Sequence, residues 1–164
     1  APAFVVRGSN DPFWTVDATS HYWHDLLNPR WLSTMRNVGH AVSEGGLRSI
    51  AAFARSCAGE YEMPWQPSLT LGSSGAVFEA DERHLRRALI LSASVGGPLP
   101  DFRGSEFKVV AGPGALEAAA HAHLALYGEA LYEFPGAELT LSTLVEVVPS
   151  GLTQEQAGRQ SPPL

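Results

Sequence analysis

The sequence predicts an α/β segment over residues 1–61 followed by a small antiparallel all-β part of sandwich type over residues 62–152. Three observations lead there. Extended and helical patterns alternate up to Gly59. A proline-broken connector, Met63-Pro64-Trp65-Gln66-Pro67, then marks a change of character. Beyond it, short alternating segments are separated by Gly and Pro clusters. The last stretch, 153–164, is polar, ends Ser-Pro-Pro-Leu and reads as a disordered tail.

The first element is Phe4-Val-Val-Arg7, a β-branched and aromatic run that gives way to the turn formers Gly8-Ser9-Asn10-Asp11-Pro12. A helix of about three turns is expected next, with Asp17 as N-cap and Tyr22, Trp23, Leu26 and Leu27 at helical spacing, until Asn28-Pro29 ends it. Trp31 to Met35 is the second strand, running into the polar corner Arg36-Asn37-Val38-Gly39-His40. Ser43-Glu44 opens a second helix through Leu47, Ile50, Ala51, Phe53 and Ala54, closed by Gly59. A crossover of this length between strands implies parallel pairing, and two strands are too few to make such a sheet, so further strands are expected from outside this sequence. In the second part, strands are expected at 68–71, 76–79, 87–94, 107–111 and 139–148. The run Leu116 to Leu124 has helix-forming composition, yet alternation from His123 to Phe134 favours a strand over about 121–134.

Composition removes several classes. The chain has 164 residues, a net charge of −6 and 11 Lys and Arg with no basic cluster, which argues against a nucleic-acid partner. No apolar run approaches the ~18–20 residues of a membrane span, and one cysteine makes no internal disulfide. Cys57, within an apolar helical stretch, is expected to be a small buried hydrophobe. The chain opens on Ala1 with strand already at Phe4, so it reads as a piece of something longer.

Asp11 and His40 are the candidate chemical pair. They lie 29 positions apart, each in the loop after a strand, and parallel strands place both loops on one edge of the sheet. A carboxylate there can accept the imidazole Nδ1 proton, fix the tautomer and stabilise the imidazolium formed when Nε2 takes a proton. The order acid then histidine is that of α/β hydrolases, but no G-x-S-x-G elbow is present: Gly72-Ser73-Ser74-Gly75 has the wrong spacing and lies in the β part. The bland alternatives are an Asx turn at Asp11 ahead of Pro12 and a helix-capping role for His40.

The residues also carry a resemblance. Gly8-Ser-Asn-Asp-Pro-Phe-Trp-Thr-Val-Asp-Ala, the helix with Tyr22-Trp-His-Asp-Leu26, and Asn37-Val-Gly-His40 resemble the late hydrolase segment of the PhoPQ-activated pathogenicity-related family, which includes autocrine proliferation repressor-like proteins. Asp101-Phe-Arg-Gly-Ser105 and Leu139 to Pro149 are similar to that family's C-terminal β region. Arg7 and Val38 depart from it, standing where an apolar or Asn-like residue and Ala are commoner. The resemblance implies the C-terminal portion of a secreted or periplasmic α/β-hydrolase-like protein with a peptidase-like or esterase-like site. Asp11 would be its acid and His40 its base, with a peptide or ester as substrate. Its nucleophile would come from an N-terminal hydrolase portion in the same or a separate chain, so these residues alone are expected to be inactive. No cofactor is implied. The competing expectation is a non-catalytic secreted binding or signalling protein on the same scaffold.

Other residues have their own readings. Asp17 could be the triad acid, though its place suits an N-cap. His21 and His24 sit at i, i+3 beside Asp25 without a matching third ligand, and are expected on an exposed helix face. His121, His123 and Glu129 offer a third reading, a metal-dependent β-barrel site with both histidines on one face of a strand. Trp14, Trp23 and Trp31 gather around the loops; their size favours core packing, with a substrate pocket as the alternative, for which Trp14 and Phe13 are the candidates. Asp101 and Arg103 are expected to form a local loop ion pair.

Overall fold

The structure, a computed structural model, describes residues 1–72, 75–95, 101–110 and 123–148. Strand β1 (Ala3–Gly8) pairs in parallel with β2 (Arg30–Met35), from Ala3 opposite Arg30 to Gly8 opposite Met35. Helix α1 (Ala18–Trp23) connects them and α2 (Glu44–Cys57) follows, so the expected alternation and parallel pairing are present. The helices flank the pair on opposite faces. Arg7 reaches the α1 side at Val16 and Thr19, whereas the Phe4 ring stacks on Phe53 of α2 at 4.8 Å.

Helix α1 has six residues instead of about three turns. Arg30 is the physical reason: its Nη1 donates to the carbonyls of His24 and Leu26, and its guanidinium lies over the Trp23 ring at 5.3 Å. The carbonyls a longer helix would use internally are thereby satisfied from outside. Asp17 occupies the N-cap position with helical backbone angles, but its side chain makes no capping bond. Helix α2 is capped by Ser43, whose Oγ accepts from Gly46 N at 3.1 Å, so the capping role considered for His40 belongs to Ser43. The inward stripe of α2 is Gly46, Ser49 and Ala52. Cys57 lies off that stripe and is exposed, which overturns the expectation that it is buried.

The remaining strands are antiparallel. A hairpin of β3 (Ser68–Gly72) and β4 (Gly75–Glu79) stands beside a five-stranded sheet of β5 (Leu85–Val95), β6 (Lys108–Val109), β7 (His123–Phe134), β8 (Ala137–Ser142) and β9 (Glu146–Val148). The larger sheet runs β6-β5-β7-β8, with β9 also on β7. The segment read as one strand over 139–148 is interrupted at Thr143. There the Thr143 N–H donates to the Gly128 carbonyl and Oγ1 accepts from Gly128 N, both at 2.9 Å. Gly128 is required on its other face too, where a Cβ would overlap the Phe78 ring. Residues 116–122 and the tail at 153–164 lie outside the described residues.

Alternation along β7 distributes two apolar faces. Ala125 and Tyr127 join Leu91, Ala93, Phe102, Phe107 and Val16 on one. On the other, Leu124 and Leu126 meet Leu69 and Leu71 of the hairpin. Ala130, Tyr132, Leu139 and Leu141 gather with Ala52, Phe4 and Trp31, so the α/β segment and the β part share a core. Side-chain oxygens close the joint: Thr140 N donates to Ser49 Oγ at 3.0 Å, Leu32 N to Gln66 Oε1 at 3.0 Å, and Thr34 N to Ser142 Oγ at 2.8 Å. Ser142 is completely buried and returns a bond to Thr34 Oγ1 at 3.0 Å.

Ser142→Ala leaves the buried Thr34 N–H without its acceptor, a loss of about 1–3 kcal/mol. Urea unfolding of the variant is expected to show a lower midpoint with an unchanged slope.

Candidate functional site

Asp11 follows β1 and His40 follows β2, so the parallel register brings both to one edge. The two loops are stitched together by Ser9 N to the Met35 carbonyl at 3.0 Å, Asn10 N to the Val38 carbonyl at 3.0 Å, and Asn37 N to Ser9 Oγ at 2.8 Å. Gly8 makes this approach possible, because a Cβ there would collide with the carbonyl oxygens of Val38 and Gly39. Asn37 takes a positive φ of 56°, a conformation asparagine tolerates, and turns the chain toward His40.

Asp11 uses both carboxylate oxygens. Oδ1 accepts from the backbone N–H of Phe13 at 2.8 Å and of Trp14 at 3.0 Å, while Oδ2 stands 2.8 Å from His40 Nδ1. An ionised carboxylate only accepts, so Nδ1 carries the proton and donates it. The Asx turn and the histidine contact are therefore simultaneous, one on each oxygen. Asp11 is 7% exposed, whereas the His40 side chain is 56% exposed. Burial works to raise the Asp11 pKa, but the hydrogen bonds from Trp14, His40 and Phe13 outweigh it and hold the carboxyl below its ordinary value. The resulting unit is an imidazole held through Nδ1, with no hydrogen-bond partner on Nε2 among the described residues.

The Phe13 ring meets the imidazole edge-on at 5.1 Å. Trp14 is 63% exposed, so it is not a core residue; Trp23 is buried, and Trp31 is half-buried with Nε1 donating to the Pro64 carbonyl at 2.7 Å. Trp14 reaches solvent because the Asp11 turn projects 13 and 14 outward. A cavity of about 330 Å³ adjoins the pair, lined by Arg7, Trp14, Tyr22, Met35 and Val42 as well as Asp11 and His40. Arg7 is buried beneath it. Its Nε donates to Thr34 Oγ1 at 3.3 Å, and Nη1 donates to Thr19 Oγ1 at 2.6 Å and to the Val16 carbonyl. Burial pulls its pKa down to about 10, which leaves it charged at neutral pH.

Asn10 and Asn37, legible in the sequence only as turn formers, support the site from below. Asn10 Nδ2 donates to the carbonyls of Phe102 and Arg103 at 3.2 Å and of Ser105. Asn37 exchanges two bonds with the Phe107 backbone, at 2.7 and 3.1 Å. Asp101 and Arg103 form the expected local pair, with Nε to Oδ1 at 2.8 Å. His21 and His24 are exposed on and just after α1. Glu129 is buried near Arg87 at 3.6 Å, and burial raises its pKa against the opposing pull of Arg36 and Arg87. His121 and the pair Ser73 and Ser74 lie outside the described residues. Among the described residues no three His, Cys, Asp or Glu side chains gather, and no hydroxyl or thiol hydrogen-bonds to His40. No described helix is long and apolar enough to cross a membrane.

A family model described as PhoPQ-activated pathogenicity-related protein matches residues 1–103. The chain belongs to the PhoPQ-activated pathogenicity-related family. The matched span takes in β1 to β5, both loops of the Asp11–His40 pair and the Asp101–Arg103 turn of this PhoPQ-related chain. The similarity noted over Leu139 to Pro149 falls beyond it. No curated protein and no solved structure matches.

Two outcomes follow from this geometry. Gly8→Ala must push the His40 loop off β1, at a cost of about 1–3 kcal/mol, and is expected to abolish the NMR signature of a hydrogen-bonded Nδ1 proton. The lowered Asp11 pKa stabilises the fold above its unfolded value of ~4 and is lost as pH falls through the folded value. The stability difference between the protein and Asp11→Asn, read by urea unfolding, is therefore expected to be largest near neutral pH and to shrink with acidification below pH ~4.

Proposed function

We propose that Asp11 and His40 are the acid and base of a Ser-Asp-His hydrolytic site, peptidase-like or esterase-like, whose nucleophile is carried by polypeptide outside these 164 residues. The observation that carries this reading is the division of labour on Asp11: one oxygen holds the turn through Phe13 and Trp14, and the other orients His40 at 2.8 Å. In such a site His40 Nε2 accepts the proton of an attacking serine hydroxyl and returns it to the leaving group, while Asp11 stabilises the imidazolium in between. Trp14 and Phe13, exposed beside the imidazole, would flank the peptide or ester substrate. The frame is read as the terminal β-α-β-α of an α/β-hydrolase sheet with a sandwich-like domain after it, and the family resemblance favours a secreted or periplasmic setting.

The second reading, a non-catalytic binding or signalling protein on the same scaffold, draws on the lack of any hydroxyl or thiol bonded to His40 among the described residues. One experiment separates them. In a preparation that includes the nucleophile-bearing polypeptide, His40→Ala and Asp11→Asn are expected to lower ester or peptide turnover by roughly 10³–10⁴-fold with the fold intact. Turnover unchanged in both variants sinks the triad and leaves the binding reading.

A further inference from the structure

Parallel strands bring the loops of Asp11 and His40 to one edge, but they do not by themselves hold the two side chains together. The backbone bonds between the loops, Ser9 N to the Met35 carbonyl and Asn10 N to the Val38 carbonyl, stop one residue short of Asp11. Past that point, among the described residues, the only hydrogen bond between residues 11–17 and residues 38–42 is the one from His40 to Asp11. The Asp11 turn orients the carboxylate within its own loop and leaves open how far that loop stands from the other. A half-exposed imidazole held by one bond readily exchanges it for water.

A third segment, residues 102–107, spans both loops. Phe102 and Phe107 are buried in the core that Val16 and Tyr127 share, so the segment has a fixed place in the fold. It is closed on itself by Ser105 N to the Phe102 carbonyl and by Arg103 N to Asp101 Oδ1, both at 3.1 Å. The carbonyls of Phe102, Arg103 and Ser105 converge on one point, and Asn10 Nδ2 occupies it. Partly buried acceptors left without a donor are costly, and a side-chain amide brings two hydrogens to them. Ser9 Oγ donates to Asn10 Oδ1 at 2.7 Å and accepts from Asn37 N at 2.8 Å, which ties the two asparagines together. Asn37, three residues before His40, pairs with Phe107 as one peptide unit pairs with another: Phe107 N donates to Oδ1, and Nδ2 donates to the Phe107 carbonyl. The acid loop therefore meets the segment at Asn10 and Val16, on either side of Asp11, and the base loop meets it at Asn37.

We propose that the 102–107 segment is a brace that sets the separation of Asp11 from His40, with Asn10 and Asn37 as positioning residues, so that the antiparallel part is a component of the site. Neither asparagine touches a reacting atom; each acts through the loop it belongs to. The residue type follows from the contacts. One planar amide supplies donor and acceptor together, whereas a carboxylate at position 10 would face three carbonyl oxygens. At position 37 the side chain must also suit a φ of 56°. The family match stops at residue 103, inside the brace, which carries the site past the matched span. The consequence for turnover rests on the hydrolytic reading above; the consequence for the Asp11–His40 bond does not.

Proton NMR of the 164-residue chain tests the brace, reading exchange of the His40 Nδ1 proton with water beside the urea unfolding midpoint. Asn37→Gly keeps the left-handed backbone without strain and removes both bonds to Phe107; Asn10→Ala removes the donor to the three carbonyls. In each folded variant the Nδ1 proton is expected to exchange about 10-fold faster than in the unsubstituted chain. Asn37→Asp, which keeps the acceptor for Phe107 N, is expected to fall between the unsubstituted chain and Asn37→Gly. Tyr61→Phe loses the bond from its hydroxyl to the Ala52 carbonyl, away from both loops, and is expected to lower the midpoint while leaving Nδ1 exchange unchanged. That comparison separates positioning from general stability. With the nucleophile-bearing polypeptide present, kcat is expected to fall about 10–100-fold in Asn10→Ala and Asn37→Gly with KM unchanged. The proposal is overturned if the Nδ1 proton exchanges at the unsubstituted rate in both variants, or if Tyr61→Phe speeds it equally. Faster exchange in both, together with turnover that persists in His40→Ala, upholds the brace and refutes the hydrolytic reading.

Discussion

Everything at the candidate site hangs on the parallel pairing of β1 with β2. Parallel strands need a crossover, the crossover holds α1, and the shared direction sends both following loops to the same edge. A carboxylate at 11 and an imidazole at 40 are then neighbours by construction. Gly8 is the tightest point in this arrangement: the strand carries no side chain where the Val38-Gly39 backbone passes over it, and the resulting closeness brings Nδ1 within 2.8 Å of Asp11.

The electrostatics of the pair are local. Asp11 keeps its charge under partial burial because three donors face it, two from its own turn and one from His40. Arg7, four residues before Asp11, is the converse case: a buried charge whose Nε and Nη1 are held by neutral oxygens of Val16, Thr19 and Thr34 while Nη2 has no partner among the described residues, with burial lowering its pKa. These two groups set the polarity of one groove, a fixed anion at its end and a cation in its floor.

The antiparallel sheet supports the loops as well as packing a core. Asn10 and Asn37 clip the 102–107 segment beneath the site, and Phe102 and Phe107 enter the core that Tyr127 and Val16 share. Ser49, Gln66 and Ser142 meet the N–H groups at the edges of β8 and β2, so two sheets that do not pair are still joined bond by bond. The family match ends at residue 103, yet residues beyond it build this support.

Much of this was legible in the residues. Apolar periodicity and turn chemistry marked most of the strands and both helices, and the spacing of two polar corners singled out Asp11 and His40, because local propensity and alternation are properties of short stretches. What went unseen was how side chains close at hand compete for the same backbone groups and faces: Arg30 taking the carbonyls that end α1, Trp14 turned into solvent by the Asp11 turn, Cys57 left outside the buried stripe of α2. The sequence by itself determined the alternation of elements and the pair that could do chemistry. Only the tertiary structure decided that Asp11 meets His40 and that the outward N–H groups of Leu32 and Thr34 find Gln66 and Ser142, since those contacts join residues tens of positions apart, whose energies no local pattern records.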